Sequence, residues 1–292
     1  MPLQVKPKSP EFAAEIGGID LAQPASDATI AEIVAAMDRY AVCVYHAEPP
    51  LTDEQHIALS RRLGPIQRGS VLVVSGKTGT RMRHPELLDQ SNLDEYGEPY
   101  PEGDRSLLFK RANRLWHTDM SFHPVRATYS LLASHALPPG GGPDTEFADM
   151  RAAYDALPAA MKARIEPLVV EHSYWHSRVM GGGPEPTAQE RASRPPAFHR
   201  LVQTHPGSGR KTLYLASHAC AIEGWPVAEA RALLAELTEF ATEPRFVYAH
   251  HWRLGDVVIW DNRCTMHRAR PFDDLVLRRD VRRTTCREAE VA

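Results

Sequence analysis

The chain's 292 residues carry a formal net charge of −3, with 43% hydrophobic and 24% charged residues. These values fit a globular protein with a sizeable core and exclude the basic excess of a nucleic-acid or membrane-surface binder. Any anionic ligand must therefore be attracted by local arginines and not by the global field. Cys43, Cys220, Cys264 and Cys286 are scattered without a Cys-x-x-Cys spacing, as expected of free thiols in a reducing compartment. The first residues, Met-Pro-Leu-Gln-Val-Lys-Pro, form no apolar leader, and no apolar run is long enough for a membrane span. The expectation is a cytoplasmic protein with no membrane partner.

In chain order, Ile30, Ile33, Val34 and Met37 share one helical face, which predicts a helix over 27–40 capped by Asp27. A buried strand over 41–45 follows. Thr52-Asp-Glu-Gln55 has the capping-box pattern and opens a second helix running to Leu63, where Gly64-Pro65 stops it. Residues 66–112 are polar and punctuated and read mostly as loop, apart from the apolar run Val71 to Val74. Beyond Leu115 short strands are expected at 128–133, 168–170, 212–216, 245–252, 257–260 and 281–285. Helical patterns lie at 150–157, 158–165 and 227–241, and the Gly/Pro-rich stretch from Gly181 to Pro196 reads as loop. Many short strands with helices outside imply a mainly β protein, a barrel or sandwich, in a single domain over 1–292.

Chemistry enters at Trp116-His117-Thr118-Asp119. In an extended segment His117 and Asp119 point to the same face, so one segment can offer two ligands to one metal. A third donor could come from His267, after the apolar run Val257 to Trp260; alone, it could equally be a hydrogen-bonded rim histidine. Two imidazoles and one carboxylate make a facial iron(II) triad with open positions for a co-substrate and dioxygen. Downstream, Arg278-Arg279-Asp280-Val281-Arg282-Arg283 reads either as a solvated edge strand or as two distinct faces. With period two, Arg279 and Arg283 form a bare positive pair, while Asp280 neutralises the face of Arg278 and Arg282. A guanidinium beside a metal suits a carboxylate, and Thr145 could donate a hydroxyl to the same group or be an ordinary turn residue.

Three segments carry a resemblance: Asn113-Arg-Leu-Trp-His117-Thr-Asp119-Met-Ser-Phe, Gly-Gly-Pro-Asp-Thr145-Glu-Phe and Val-Val-Ile-Trp260-Asp-Asn-Arg-Cys-Thr-Met-His267-Arg-Ala. Together with Thr204-His-Pro-Gly-Ser-Gly-Arg-Lys211 and Ser217-His218-Ala they resemble the taurine dioxygenase family end to end, and within it the aryloxyalkanoate (2,4-dichlorophenoxyacetate-type) dioxygenases. The resemblance implies a double-stranded β-helix (jelly-roll) core with flanking helices. It implies Fe(II) held by His117, Asp119 and His267, 2-oxoglutarate as co-substrate, and dioxygen. It matches Thr145 and an arginine after His267 to the residues holding the distal carboxylate of 2-oxoglutarate. Counting forward gives Arg278; counting back from the Arg-Thr-Thr tail gives Arg279, which is preferred, with Arg283 as second arginine on that face.

Asn113 and His218 match positions near the substrate, with Arg282, Arg210 and Lys77 as looser candidates for its carboxylate; Leu72 stands where one similar aryloxyacetate member carries lysine. Trp116 and Trp260 read as core and pocket walls. Lids are expected at 66–112 and 175–197. The implied reaction hydroxylates an aryloxyalkanoate and releases a phenol and glyoxylate, with succinate and carbon dioxide from the co-substrate, as in herbicide and aromatic-compound degradation. A small-molecule carboxylate is the expected partner, in a homo-oligomer. An aryloxyacetate ranks first, a chiral 2-aryloxypropionate second, an alkylsulfonate or sulfate ester third. A non-oxidative metal hydrolase or a non-catalytic metal-binding jelly roll is the alternative of a different class.

Overall fold

The computed structural model describes residues 2–68 and 81–289. Val71 to Val74, Leu72 and Lys77 lie outside these. Two short strands open the chain, β1 (Gln4–Pro7) and β2 (Ala14–Gly17). Helix α1 (Asp27–Tyr40) is capped by Ser26, whose side chain accepts from the Thr29 N–H; Asp27 is the first helical residue, not the cap. After β3 (Val42–His46) comes α2 (Asp53–Leu63), with both bonds of the Thr52/Gln55 capping box. The stretch expected to be mostly loop holds β4 (Leu88–Asp89) and helix α3 (Arg105–Arg111). Helix α3 is seven residues long and lies in a polar, punctuated stretch, so its buried Leu107 and Phe109 do not stand out in sequence.

Next come β5 (Ala127–Ala136), β6 (Thr145–Asp149), α4 (Met150–Ala156), α5 (Ala159–Ile165) and β7 (Val169–His172). The expected loop from 175 to 197 is largely two short helices, α6 (Tyr174–Met180) and α7 (Ala188–Ser193). Then follow β8 (Ala197–Arg200), β9 (Val202–Thr204), β10 (Lys211–Leu213), β11 (Ala219–Ile222) and α8 (Val227–Ala241). Strands β12 (Val247–His250), β13 (Asp256–Asp261), β14 (Thr265–Ala269) and β15 (Asp280–Arg287) complete the chain. Thr145 thus begins a strand instead of occupying a turn.

The major sheet has the order β1-β2-β3-β13-β5-β15-β4, and a three-stranded sheet, β12-β6-β14, belongs to the opposing wall. Pairing is antiparallel except between β2 and β3. Together they form the jelly roll. Strand β13 shows why its sequence is apolar throughout. Val258 and Trp260 point inward to pack with Leu132, Phe147, Trp252 and Val281, whereas Val257 and Ile259 pack outward with Ile33 and Met37 of α1. Both faces are buried, so the usual polar alternation disappears. Strand β14 does alternate: Met266 joins the cluster under α4 and α8, and His267 turns the other way, stacking near Trp260 and Phe147. Its inward histidine is fixed by that register.

Candidate active site

His117 and His267 are joined by an isolated antiparallel bridge, each amide donating to the other's carbonyl at 3.0 and 2.8 Å. The expected extended segment is correct only for His117. Asp119 lies in the turn that follows, ahead of Met120 with φ 56°. Thr118 faces away, its hydroxyl 2.8 Å from the Leu215 carbonyl and 3.0 Å from that of Thr265. Bridge and turn bring the three side chains together.

The Nε2 atoms of His117 and His267 lie 4.0 and 3.8 Å from the Asp119 carboxylate oxygens. His117 Nδ1 is 2.8 Å from the Leu115 carbonyl, which selects the Nδ1–H tautomer and leaves Nε2 as a lone-pair donor. Burial pushes both imidazoles below their usual range and keeps them neutral, the form that ligates. Burial would raise the Asp119 carboxyl, but the Arg283 guanidinium, helped by the Ser130 hydroxyl, outweighs it and holds it low. Two neutral nitrogens and one carboxylate, all within 4.8 Å of one another, fit a divalent ion and leave the far side of its coordination sphere to other ligands.

The pocket beside this cluster is lined by Lys110, Arg111, Arg114, Arg270, Arg279 and Arg283, with Asp274 the sole carboxylate in the lining. Five of these six cations have a carboxylate partner: Lys110 meets Asp89 at 3.6 Å, Arg270 meets Glu146 at 3.8 Å and Arg283 contacts Asp119. Arg111 and Arg114 share Asp274 at 2.7 and 2.5 Å. Arg279 differs. It is 6% exposed, its Nε has no partner, and no described carboxylate pairs with it. Burial alone holds its guanidinium down at about 10. Its guanidinium lies over the Trp252 ring, at 5.8 Å. Trp252 also donates from Nε1 to Thr145 Oγ1 at 3.0 Å, so the threonine's own proton is free to point into the pocket. Gly141, with φ +104°, permits this packing, since a Cβ there would lie 2.5 Å from the Trp252 carbonyl oxygen.

The model of the taurine catabolism dioxygenase TauD, TfdA family matches residues 4–285. The chain belongs to this family. It is 43% identical over 285 residues to the alpha-ketoglutarate-dependent 2,4-dichlorophenoxyacetate dioxygenase of Cupriavidus pinatubonensis, covering 98% of each chain. It is 36% identical over 277 residues to the (S)-phenoxypropionate/alpha-ketoglutarate-dioxygenase of Sphingobium herbicidovorans, covering 92% of this chain and 90% of that one. Among solved structures, AAD-2 in complex with Mn(II) and N-oxalylglycine superposes with a TM-score of 0.92 at 43% identity, covering 99% of both chains.

As a member of the TauD, TfdA family the chain distributes its expected site residues unevenly. Arg279 and Arg283 line the pocket; Arg283 also contacts Asp119 through Nη1. Arg278 points outward, 55% exposed, to Gly97 and Glu98. Asn113 lines the pocket and donates to Gln90 Oε1 at 2.8 Å. His218 lies edge-on to His117, with ring centroids 6.3 Å apart, and its Nδ1 meets Ser121 Oγ at 2.9 Å. Two looser candidates are committed elsewhere: Arg282 pairs with Asp280 and Asp53, and Arg210 with Asp155 and Glu11. Trp260 lines the pocket, and Trp116 lies under the Arg268 guanidinium.

Sequence reasoning missed Asn92, Ser130, Trp252 and Asn262. Asn92 donates to the Asp274 and Leu277 carbonyls and accepts from the Arg279 amide, which holds the loop that delivers Arg279. Ser130 had a signal: it is a polar residue inside an apolar strand run, and such a residue needs a buried partner.

Proposed function

We propose that the chain is an iron(II)- and 2-oxoglutarate-dependent dioxygenase acting on aryloxyalkanoates, with His117, Asp119 and His267 as metal ligands. Thr145 and Arg279 take the distal carboxylate of 2-oxoglutarate, and Arg283 completes the positive wall. The observation that carries this reading is Arg279. A buried guanidinium with no counter-charge among the described residues, in the pocket of a two-histidine, one-carboxylate cluster, calls for an anion, because an unpaired buried charge is costly. A hydrolase using the same metal ligands has no need of it.

Bound iron(II) supplies oxidative decarboxylation of 2-oxoglutarate to succinate and carbon dioxide, with one oxygen atom of dioxygen entering succinate and the other a substrate C–H bond. The protein orients. Arg279 and Thr145 fix the co-substrate at one end, the neutral imidazoles keep their lone pairs available, and the buried walls restrict water. Hydroxylation between the ether oxygen and the carboxylate of an aryloxyacetate gives a hemiacetal that releases a phenol and glyoxylate.

Asn113, in the pocket lining, and His218, edge-on to His117, are proposed to contact the substrate, and 175–197 with the described part of 66–112 to cover it. Identity of 43% to the 2,4-dichlorophenoxyacetate relative against 36% to the phenoxypropionate relative supports placing an aryloxyacetate first. We place the protein in the cytoplasm as a homo-oligomer; its four buried, free cysteines suit a reducing setting, and light scattering will read the assembly. Among the described residues no helix is long and apolar enough to cross a membrane.

The test is anaerobic. Addition of iron(II) and 2-oxoglutarate should produce a weak visible charge-transfer band, and admission of oxygen with an aryloxyacetate should yield succinate and phenol in equal amounts. Absence of both the band and succinate would sink the dioxygenase reading; succinate without phenol would sink only the substrate.

A further inference from the structure

We propose that Asn262 and Ser130 form a positioning relay that fixes the Asp119 carboxylate for metal binding, by setting the direction of a single hydroxyl proton. The inference rests on the metal-site reading above.

Asn262 is 1% exposed and Ser130 fully buried. Asn262 Oδ1 accepts from two groups that can only donate, the Asp119 backbone N–H at 3.2 Å and Trp260 Nε1 at 3.0 Å. These contacts fix the amide's orientation, so its NH2 must face the other way. There Nδ2 donates to Ser130 Oγ at 2.9 Å, with the Thr128 carbonyl at 3.4 Å. Ser130 therefore accepts from Asn262 and has one proton left to give. That proton goes to Asp119 Oδ2 at 2.7 Å, a closer acceptor than Thr285 Oγ1 at 3.3 Å. The carboxylate is thus gripped twice from one amide, through its own backbone and through its side chain. Its rotation about the Cβ–Cγ bond is restrained before a metal arrives. Neither residue reaches the pocket lining, so both act through Asp119.

Asn262→Asp separates this relay from plain electrostatics. It keeps the shape and the acceptor toward Asp119 N–H and Trp260, but turns the donor into a second acceptor that competes for the Ser130 proton. An added negative charge near the site should, by Coulomb attraction alone, tighten binding of a divalent cation. The relay predicts the opposite sign.

The probe is Mn(II), titrated into the full chain and followed by the electron paramagnetic resonance signal of the free ion. Asn262→Asp and Ser130→Ala should each weaken Mn(II) binding about 10- to 100-fold, the usual cost of losing a partner of a metal ligand. Thermal melts establish that each variant is folded. Ser130→Ala removes one oxygen atom and preserves the test if Asn262→Asp does not fold. Wild-type affinity in a folded Ser130→Ala, or unchanged or tighter binding in Asn262→Asp, overturns the relay alone. A wild-type chain that binds no Mn(II) overturns the metal-site reading and the relay with it.

Discussion

Among the described residues two buried trios of possible metal donors lie within 4.8 Å, His117/Asp119/His267 and His205/Asp261/Cys264, and they differ in what is left unsatisfied. In the second, His205 Nε2 lies 3.0 Å from Asp261 and Nδ1 lies 2.9 Å from Ser208. Arg263 closes on Asp261 with Nε at 2.9 Å and Nη2 at 2.5 Å. Burial pushes the Cys264 thiol well above its usual range, so it is no thiolate ligand. Every donor there is used. In the first cluster the histidine–aspartate distances are 3.8 and 4.0 Å, too long for hydrogen bonds and right for groups that each reach ~2 Å to a shared ion. Asp119 does take Arg283 and Ser130, but the imidazole nitrogens facing it remain open. Residue types and proximity are common to both clusters. Open lone pairs converging on one point are not.

Substitution should divide the clusters most sharply. His267→Ala or Asp119→Ala is expected to weaken metal binding by more than ~1,000-fold and abolish succinate formation, with the fold retained, because a facial site has no spare ligand. His205→Ala should keep succinate formation within a few-fold and cost about 2–3 kcal/mol of stability, from a lost buried hydrogen bond and the space left behind. Titration calorimetry and urea unfolding read the two quantities. Loss of metal affinity in a folded His205→Ala would erase the distinction.

Arg279→Met comes next. The KM for 2-oxoglutarate should rise about 100-fold, the loss of one charge-assisted, bidentate contact. Stability of the ligand-free protein should hold or increase, since an uncompensated buried cation is replaced by an apolar side chain. Arg278→Met, at an exposed position, should change neither. A smaller effect is expected at Thr145→Val: about a tenfold rise in KM for 2-oxoglutarate and little change in kcat, because one neutral donor is lost from the same carboxylate.

How much of this was legible in sequence follows from the same physics. His117, Asp119 and His267 could be read because motif order compensates for distance along the chain. Strand period grouped Arg279 with Arg283, and the family spacing counted back from the Arg-Thr-Thr tail preferred Arg279 to Arg278; Arg279 lines the pocket while Arg278 faces out. Helices α3, α6 and α7 were not legible because each is short and lies in or against a polar, Gly/Pro-punctuated stretch, whereas the equally short α4 and α5 adjoin and read as one longer helical pattern. Nor was the direction of Asp119, which depends on a turn with positive φ at Met120 and not on strand alternation. Partnerships such as Asn262 with Asp119 join residues 143 apart and leave no local pattern. The same holds for the pairing of Arg282 with Asp53, which removes it from the substrate candidates.

His172 in β7 tests whether an open nitrogen is enough to mark a site. Both its ring nitrogens are buried without partners, as is Nδ1 of His267, and the rings of His199 and Tyr214 lie against it at 5.5 and 5.6 Å. Among the described residues no carboxylate converges on it, so it should be a destabilising residue and not a ligand. Burial lowers its folded-state value to about 3, against about 6.5 in the unfolded chain. The unfolded state therefore binds the extra proton first. Stability is complete above pH ~6.5 and falls as the pH drops toward the folded value. Between pH 6.5 and 5.5 this one group should cost about 1 kcal/mol. Other buried histidines share the sign, so the measurement is a difference: urea unfolding of His172→Phe against wild type at both pH values. The variant should lose about 1 kcal/mol less on acidification while keeping its metal affinity. An equal loss in both proteins would mean that His172 finds a partner in solution, and an open nitrogen in this fold would then be a weaker guide to function than the two clusters imply.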